Sequence, residues 1–230
     1  LIDYVDASYG TDSDSNALYT VNVIANPEIT INGEKVDASK ITPELLADRL
    51  QEAEEVEANV ATGYHAIEFL LLGQDLNGPG PGAGARPASD YASGDACTHG
   101  NCDRRAQYLK AASTLLVADL NEMVGNWAED GAARTALMDD EAAGLSAILT
   151  GMGSLSYGEL AGERMKLGLI LNDPEEEHDC FSDNTHNSHY RDAVGIRAVY
   201  IGEYRRVGGK TVTGASISKL VAAIDPALDR

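Results

Sequence analysis

Helical spacing of apolar residues dominates the chain after about residue 40, whereas the preceding stretch alternates like a β-strand. Residues 19–36 are rich in β-branched side chains and are interrupted by Asn32-Gly33, a pair typical of tight hairpin turns. Thr42, Pro43 and Glu44 then supply a hydroxyl N-cap, a proline where its missing N–H costs nothing, and an acid near the positive end of a helix. The pattern therefore predicts a small β-hairpin at about residues 19–36, followed by a helix.

Later segments repeat apolar residues at steps of three and four, as amphipathic helices do. A helix capped by Asn59 is predicted to bury Tyr64, Ile67 and Leu71. The next helix opens at Asp103, and its predicted bundle face is Leu109, Ala112, Leu116, Leu120, Met123 and Trp127. Further helices are expected around residues 145–149, at residues 188–201 and from Ser216 or Ser218. Residues 73–100 are rich in Gly, Pro, Ser and Asp, which predicts a long loop.

A histidine and a glutamate, His65 and Glu68, lie three positions apart in the most apolar stretch of the chain. Residues at this spacing project from one side of a helix, so the imidazole and the carboxylate could converge on one point at the edge of the buried face. That point could hold a metal ion. The alternative interpretation is a buried histidine whose hydrogen-bond partner is Glu68.

Two further groups of residues have the chemistry of metal ligands. Glu159 and Glu163 lie one helical turn apart, where like charges repel unless a cation or an arginine such as Arg164 compensates them. Between residues 173 and 189, three of the five histidines lie among carboxylates, and both groups are ligands of borderline and hard metals. The candidate ligands in this segment are His178, Asp183 and His186. The alternative is an exposed acidic loop in which the histidines are incidental.

The acidic composition argues against a nucleic-acid partner. The 230 residues include 17 basic and 37 acidic side chains, a formal net charge of −20, so a phosphate backbone would be repelled. No stretch approaches the roughly 20 apolar residues of a membrane span. Cys97 and Cys102 could close a small disulfide ring in an oxidising compartment, which leaves Cys180 alone, and a zinc site is the competing interpretation of these cysteines.

An ordered set of motifs extends over about residues 59–225. It comprises Gly63-x-His65-x-x-Glu68, Gly73-Gln74-Asp75-Leu76, Gly84-Ala85-Arg86-Pro87, Asp103-Arg104-Arg105, residues 149–156, residues 158–165 and His178-x-Cys180-Phe181-Ser182-Asp183-Asn184-Thr185-His186. In this order the motifs resemble the imelysin family. The resemblance implies an all-α architecture of two related helical bundles, export to the periplasm or outer membrane of a bacterium, and a link to insulin-cleaving peptidases and iron-regulated uptake proteins.

The resemblance also suggests how the chain is organised. Residues 1–100 would form the remainder of a first helical half, with the hairpin, the HxxE helix and the Gly/Pro-rich loop, and residues 101–230 would form a second helical bundle. Imelysin-like chains generally have further helices before and after this region. The expectation is therefore a fragment that lacks helices at both ends, so that an absent leader says nothing about export.

Functions of different classes are compatible with this family. A binding protein would capture iron, zinc or another divalent metal with His65, Glu68 and carboxylates such as Glu159 or Glu163, with a membrane-bound uptake system as partner. A metallopeptidase would need a metal-activated water, with Glu68 as ligand or catalytic base. The zincin pattern HExxH is absent from the sequence, which favours binding. A third interpretation is a pocket that binds a small anion or a peptide through Arg104, Arg105 or Arg164.

Overall fold

The computed structural model of the chain describes residues 22–55, 59–172 and 176–229. Two compact units are present: unit 1 comprises Leu1–Thr135 and Asp179–Asp183, and unit 2 comprises Ala136–His178 and Asn184–Arg230. The predicted division into residues 1–100 and 101–230 stays a prediction. The predicted fold class, mainly helical with a small hairpin near the N-terminus, is confirmed.

The N-terminal hairpin pairs β1, Glu28–Ile31, with β2, Glu34–Asp37, in antiparallel register. Asn32 and Gly33 form the turn with φ angles of 52° and 79°, the left-handed conformation that a two-residue hairpin loop requires. The inward-facing side chains of both strands are buried: Ile29, Ile31 and Val36. Residues 23–25 form a turn, so Val23 and Ile24 do not belong to the expected strand, and residues 19–21 lie outside the described part of the chain.

Helix α1, Pro43–Leu45, begins where the sequence indicates, since the Thr42 hydroxyl accepts a hydrogen bond from the Leu45 N–H at 3.2 Å. A π-helical turn, Leu46–Leu50, continues it and buries Leu46 and Leu50. A short 3-10 turn follows at Ala53–Glu55.

Helix α2, Gly63–Leu72, follows Thr62 as N-cap, so the expectation that Asn59 caps it is wrong. The Asn59 side chain is buried and donates to the Ala53 carbonyl at 2.9 Å, which places it before the helix. The predicted buried face is wrong at two of its three positions. Ile67 is partly buried against the core, but Tyr64 and Leu71 are 65% and 51% exposed, and the residues that α2 buries fully are Ala66, Phe69 and Leu70.

Helix α3, Cys102–Asn126, packs against α2 through its first half. Tyr108, Ala111 and Ala112 are buried there, and the Tyr108 hydroxyl donates to the Ala61 carbonyl at 2.8 Å. The predicted bundle face is buried only in this half, because Leu120, Met123 and Trp127 are exposed. The predicted loop between α2 and α3 is present, with 3-10 turns at Ala88–Tyr91 and Gly94–Ala96.

Unit 2 contains the remaining helices and a second hairpin. After α4, Ala132–Met138, the chain forms α5, Glu141–Gly153, a π-helical stretch, Ser154–Lys166, and α6, Leu167–Leu171. Helix α7, Thr185–Ile201, is followed by β3, Glu203–Arg205, β4, Thr211–Thr213, and α8, Ile217–Ile224, whose N-cap is Ser216 as predicted. Among the described helices, none has the length and apolar character needed to cross a membrane.

Candidate metal site

Helix α2 carries His65 and Glu68, and the start of this helix is fixed by a glutamine. The Gln51 side-chain oxygen accepts hydrogen bonds from the Ala61 N–H at 2.9 Å, the Thr62 N–H at 3.1 Å and the Thr62 hydroxyl at 2.9 Å. Backbone donors ahead of a helix would otherwise need water or another partner. The orientation of α2 relative to the preceding turn is therefore set by direct contacts.

Glu68 holds His65 by a hydrogen bond within the helix. His65 Nδ1 lies 2.8 Å from Glu68 Oε2, the contact that the i, i+3 spacing predicts. The other oxygen, Oε1, accepts hydrogen bonds from the Ser182 N–H at 2.9 Å and from the Ser182 hydroxyl. Only 12% of the Glu68 side chain is exposed, against 39% for His65. The carboxylate is thus held on both sides, while the imidazole reaches solvent.

The segment Asp179–Asp183 joins α2 from a distant part of the sequence. The Phe181 ring packs edge-on against Phe69 of α2, with ring centroids 5.1 Å apart. The loop after α2 fixes the same segment, because the Gly84 N–H donates to the Phe181 carbonyl at 2.9 Å and the Gly82 N–H donates to Asp183 Oδ2 at 2.8 Å. Asp183 therefore orders the loop.

Asp179 brings a second carboxylate to the histidine. Its Oδ1 lies 3.9 Å from His65 Nδ1, and 14% of its side chain is exposed. His178 directly precedes Asp179 in the chain. Within the described residues, ligand atoms of His65, His178 and Asp179 lie within 4.8 Å of one another, a spacing at which three groups could hold one metal ion.

A buried polar network supports the C-terminal end of α2. The Arg86 N–H donates to the Leu72 carbonyl at 2.9 Å, and the Arg86 guanidinium contacts Asp90 Oδ2 at 3.4 Å. Both side chains are fully buried.

The other oxygen of this aspartate contacts a disulfide ring. Asp90 Oδ1 lies 2.6 Å from both the Thr98 hydroxyl and His99 Nδ1. Thr98 and His99 sit inside the ring that the Cys97–Cys102 disulfide closes, so this pairing is present and a zinc site is not needed to explain the two cysteines.

The other predicted metal ligands lie in unit 2. Glu159 and Glu163 are exposed on the π-helical stretch, and Glu159 Oε2 lies 3.3 Å from Arg164 Nη2. His186 is exposed in the first turn of α7. Their roles as ligands, and that of Arg164, stay predictions.

The two predicted anion-binding arginines of α3 contact backbone carbonyls of unit 1. Arg104 donates to the carbonyls of Val23, Ile24, Asn26, Ala38 and Ser39, and burial lowers the pKa of its guanidinium. Arg105 is fully buried and donates to the Asp90 carbonyl at 2.9 Å and the Gly100 carbonyl at 3.1 Å. These contacts explain both arginines structurally, and a ligand-binding role for them stays a prediction.

Sequence reasoning did not single out Asp179 or Ser182 as site residues. Both belong to the motif that begins at His178, and Ser182 contacts a carboxylate 114 positions earlier in the chain. The carboxylate of Asp179 and the hydroxyl of Ser182, close to His178 in one motif, were the sequence feature that could have identified them. Their contact with α2 depends on the packing of Phe181.

The fold and the site define a mainly helical protein in which one helix presents a histidine held by a carboxylate. The model of the Peptidase M75 family, described as imelysin, matches residues 1–230, and the chain belongs to the imelysin family. None of the curated proteins compared with the chain matches it. Family membership supports a metal-related or peptidase-type function.

Proposed function

We propose that this protein is an exported metal-binding member of the imelysin family that takes part in the uptake of iron or another divalent metal. The observation that carries the proposal is the hydrogen bond from His65 to Glu68 beside the carboxylate of Asp179. Metal-binding histidines usually donate their second ring N–H to a carboxylate, which fixes the tautomer and the ring orientation. The Glu68 carboxylate supplies such a partner at 2.8 Å.

In this arrangement Glu68 orients a ligand and does not itself bind the metal. Its two oxygens accept hydrogen bonds from His65 and from Ser182, respectively. With a proton on His65 Nδ1, the lone pair of the imidazole is on Nε2. The metal would then be held by His65, Asp179 and His178. Two imidazoles and one carboxylate are ligands that iron(II) and zinc(II) accept, so the donor set fits such an ion.

Export is supported by the disulfide between Cys97 and Cys102. Disulfides persist mainly in oxidising compartments such as the bacterial periplasm and are rare in the cytosol. A periplasmic or outer-membrane location would bring the site close to a membrane-bound uptake system, the partner that this function needs. Fractionation of the source cells and detection with a specific antibody would test this location, and recovery in the cytosol would contradict it.

Metal titration compares the wild type with two histidine variants. We expect about one Fe(II) or Zn(II) ion to bind per wild-type chain by calorimetry, and His65→Ala to weaken binding at least about tenfold. His99→Ala is the matched control, because His99 is also hydrogen-bonded to an aspartate, Asp90. It should leave the affinity unchanged. Equal metal retention by both variants would overturn the proposed site.

A metallopeptidase is the second candidate, because the matching family model is that of a peptidase family, Peptidase M75. A bound metal would activate a water molecule for attack on a peptide carbonyl. Glu68 could act as a catalytic base only by giving up its hydrogen bond to His65 or to Ser182. Cleavage of a peptide such as insulin that is lost with a chelator and in His65→Ala would support the peptidase. Metal binding without cleavage would support the binding protein.

A further inference from the structure

The basic residues of this acidic chain are not evenly distributed. Residues 204–224 contain four cations and no acidic residue, although the whole chain carries 17 basic and 37 acidic side chains. The four cations are Arg205, Arg206, Lys210 and Lys219. Within the described part of the chain, none of them forms an ion pair. Their charge is therefore available to an anionic partner.

Three of these cations lie on the second hairpin, which projects a hydrophobic side chain. The loop is closed by hydrogen bonds from the Arg206 N–H to the Lys210 carbonyl at 2.9 Å and from the Gly209 N–H to the Arg206 carbonyl at 2.8 Å. Gly209 has a φ of 81°, as the last residue of such a loop requires. The turn presents Val207 fully to solvent, with a relative exposure of 105%.

Helix α8 repeats this combination of a cation with exposed aliphatic side chains. Leu220 and Ile224 follow Ile217 at steps of three and four, on the same side of the helix. Ile217 is buried, whereas Leu220 and Ile224 are 52% and 85% exposed, and Lys219 is exposed on the other side. An isolated exposed leucine would need no explanation, but the hairpin turn and α8 both expose large aliphatic residues within the segment that lacks acids.

The base of the hairpin is fixed to the body of unit 2. The Gly214 N–H donates to the Gly202 carbonyl at 2.9 Å, and a Cβ at Gly202 would lie 2.3 Å from the Ala215 carbonyl oxygen. Asp229 ties α7 to α8, because it accepts hydrogen bonds from the Tyr200 hydroxyl at 2.7 Å and the Ser218 hydroxyl at 3.0 Å. These contacts fix the base of the hairpin within unit 2, while its turn extends into solvent.

We propose that residues 204–213 of the hairpin, together with the exposed Leu220 and Ile224 of α8, bind the surface of a membrane that contains anionic lipids. Basic residues near an anionic bilayer are attracted to its surface potential, and adjacent aliphatic side chains enter the region between headgroups and acyl chains. The acidic remainder of the chain is repelled by the same surface, so this segment is the part that can approach it. An acidic protein surface, including that of a second copy, would pair the cations but would leave the fully exposed Val207 without an apolar environment.

Vesicle sedimentation tests the proposal with the whole chain. We expect binding to vesicles of phosphatidylcholine with 30% phosphatidylglycerol, at about 0.1 M salt, and little binding to pure phosphatidylcholine. The double substitution Arg205→Gln and Arg206→Gln should weaken binding to the anionic vesicles about tenfold or more. Val207→Ser should weaken it by about threefold, because it removes only the apolar contribution.

The control variant carries Lys110→Gln and Lys166→Gln, which removes the same charge from exposed positions outside the segment. It should bind as the wild type does, and circular dichroism should be the same for all variants. Absence of binding, equal binding to both kinds of vesicle, or equal loss in the two double variants would overturn the proposal. Self-association that Arg205→Gln and Arg206→Gln abolish, without vesicle binding, would assign the segment to contact between copies instead.

Discussion

Glu68 is the residue on which the geometry of the candidate metal site depends. Substitution of Glu68 by Gln keeps the size of the side chain but removes the charge that orients the imidazole of His65. Loss of an outer carboxylate partner typically lowers metal affinity about 10- to 100-fold. We expect a loss in this range for Glu68→Gln, measured by calorimetric titration with Zn(II).

Ser182→Ala provides the comparison for this prediction. It removes the hydroxyl contact to Glu68 but retains the Ser182 N–H bond to the same oxygen, so the loss of affinity should be smaller. Helical circular dichroism should remain unchanged in both variants. An unfolded Glu68→Gln protein would instead support a purely structural role for the pair, and unchanged affinity in a folded variant would show that Glu68 does not orient the ligand.

Arg105 is a second residue whose surroundings predict a measurable effect. It is fully buried and donates to the carbonyls of Asp90 and Gly100. Arg105→Leu would leave buried acceptors without this donor, which should lower the free energy of unfolding by about 2–4 kcal/mol. Urea titration followed by circular dichroism measures the change. The control is Arg49→Leu, because the exposed Arg49–Glu34 pair should contribute less than about 1 kcal/mol.

At the residue scale, local spacing predicted the His65–Glu68 contact because both side chains belong to one helix. The same reasoning could not predict the contact of Glu68 with Ser182, which joins residues 114 positions apart. That contact follows from the packing of Phe181 on Phe69 and from the hydrogen bonds that the N–H groups of Gly82 and Gly84 donate to the same segment. Tertiary contacts of this kind are not encoded in a periodic pattern.

At the scale of elements, alanine substitutions at two glycines test whether glycine is required in a hairpin turn and unfavourable within a helix. A Cβ on Gly33 or on Gly151 would meet no neighbouring atom, so steric contacts do not distinguish the two positions. Gly33 has a φ of 79° in the β1–β2 turn, whereas Gly151 lies within α5. Gly33→Ala should destabilise the protein by about 1 kcal/mol, and Gly151→Ala should stabilise it by about 0.5–1 kcal/mol. Thermal unfolding of both variants measures the difference, and shifts of the same sign would contradict it.

The pattern of apolar residues predicted that α2 and α3 are helices more reliably than it predicted which of their faces are buried. Periodicity identifies residues that share a face, but the neighbour that covers this face is a tertiary property. Phe69 and Leu70 of α2 are buried because α3 and Phe181 pack there, and Tyr64 therefore faces solvent. In α3 the predicted stripe is real as far as Ala112, beyond which Met123 and Trp127 are exposed.

The two hairpins differ in how strongly the sequence indicates them. The first was predicted because Asn32-Gly33 is a specific two-residue turn between alternating strands. The second has three-residue strands, and only the helix that follows it was predicted. The β-branched Val212 opposite Tyr204, with a glycine pair between them, was the available hairpin signal.

At the scale of the whole molecule, the fold class followed from the sequence, because helical periodicity and the order of the imelysin motifs are properties of the entire chain. The charge also followed directly from composition. Its distribution was less apparent, since the basic residues look scattered until the second hairpin and α8 are recognised as adjacent elements with no acid between Tyr204 and Ile224. The structure thus gives the acidic chain one cationic segment.

The net charge of −20 predicts how stability depends on salt. Like charges repel in the compact state more than in the expanded unfolded chain, so screening should favour folding. Raising NaCl from about 10 mM to about 0.15 M shortens the Debye length from roughly 30 Å to roughly 8 Å, and we expect the midpoint of thermal unfolding to rise by a few degrees. The titration should use a chloride salt and not a sulfate, because sulfate also stabilises the folded state by strengthening apolar burial. The attractive pairs Lys35–Glu28 and Arg49–Glu34 are exposed and would be weakened by the same salt, so a falling midpoint would mean that such pairs outweigh the general repulsion.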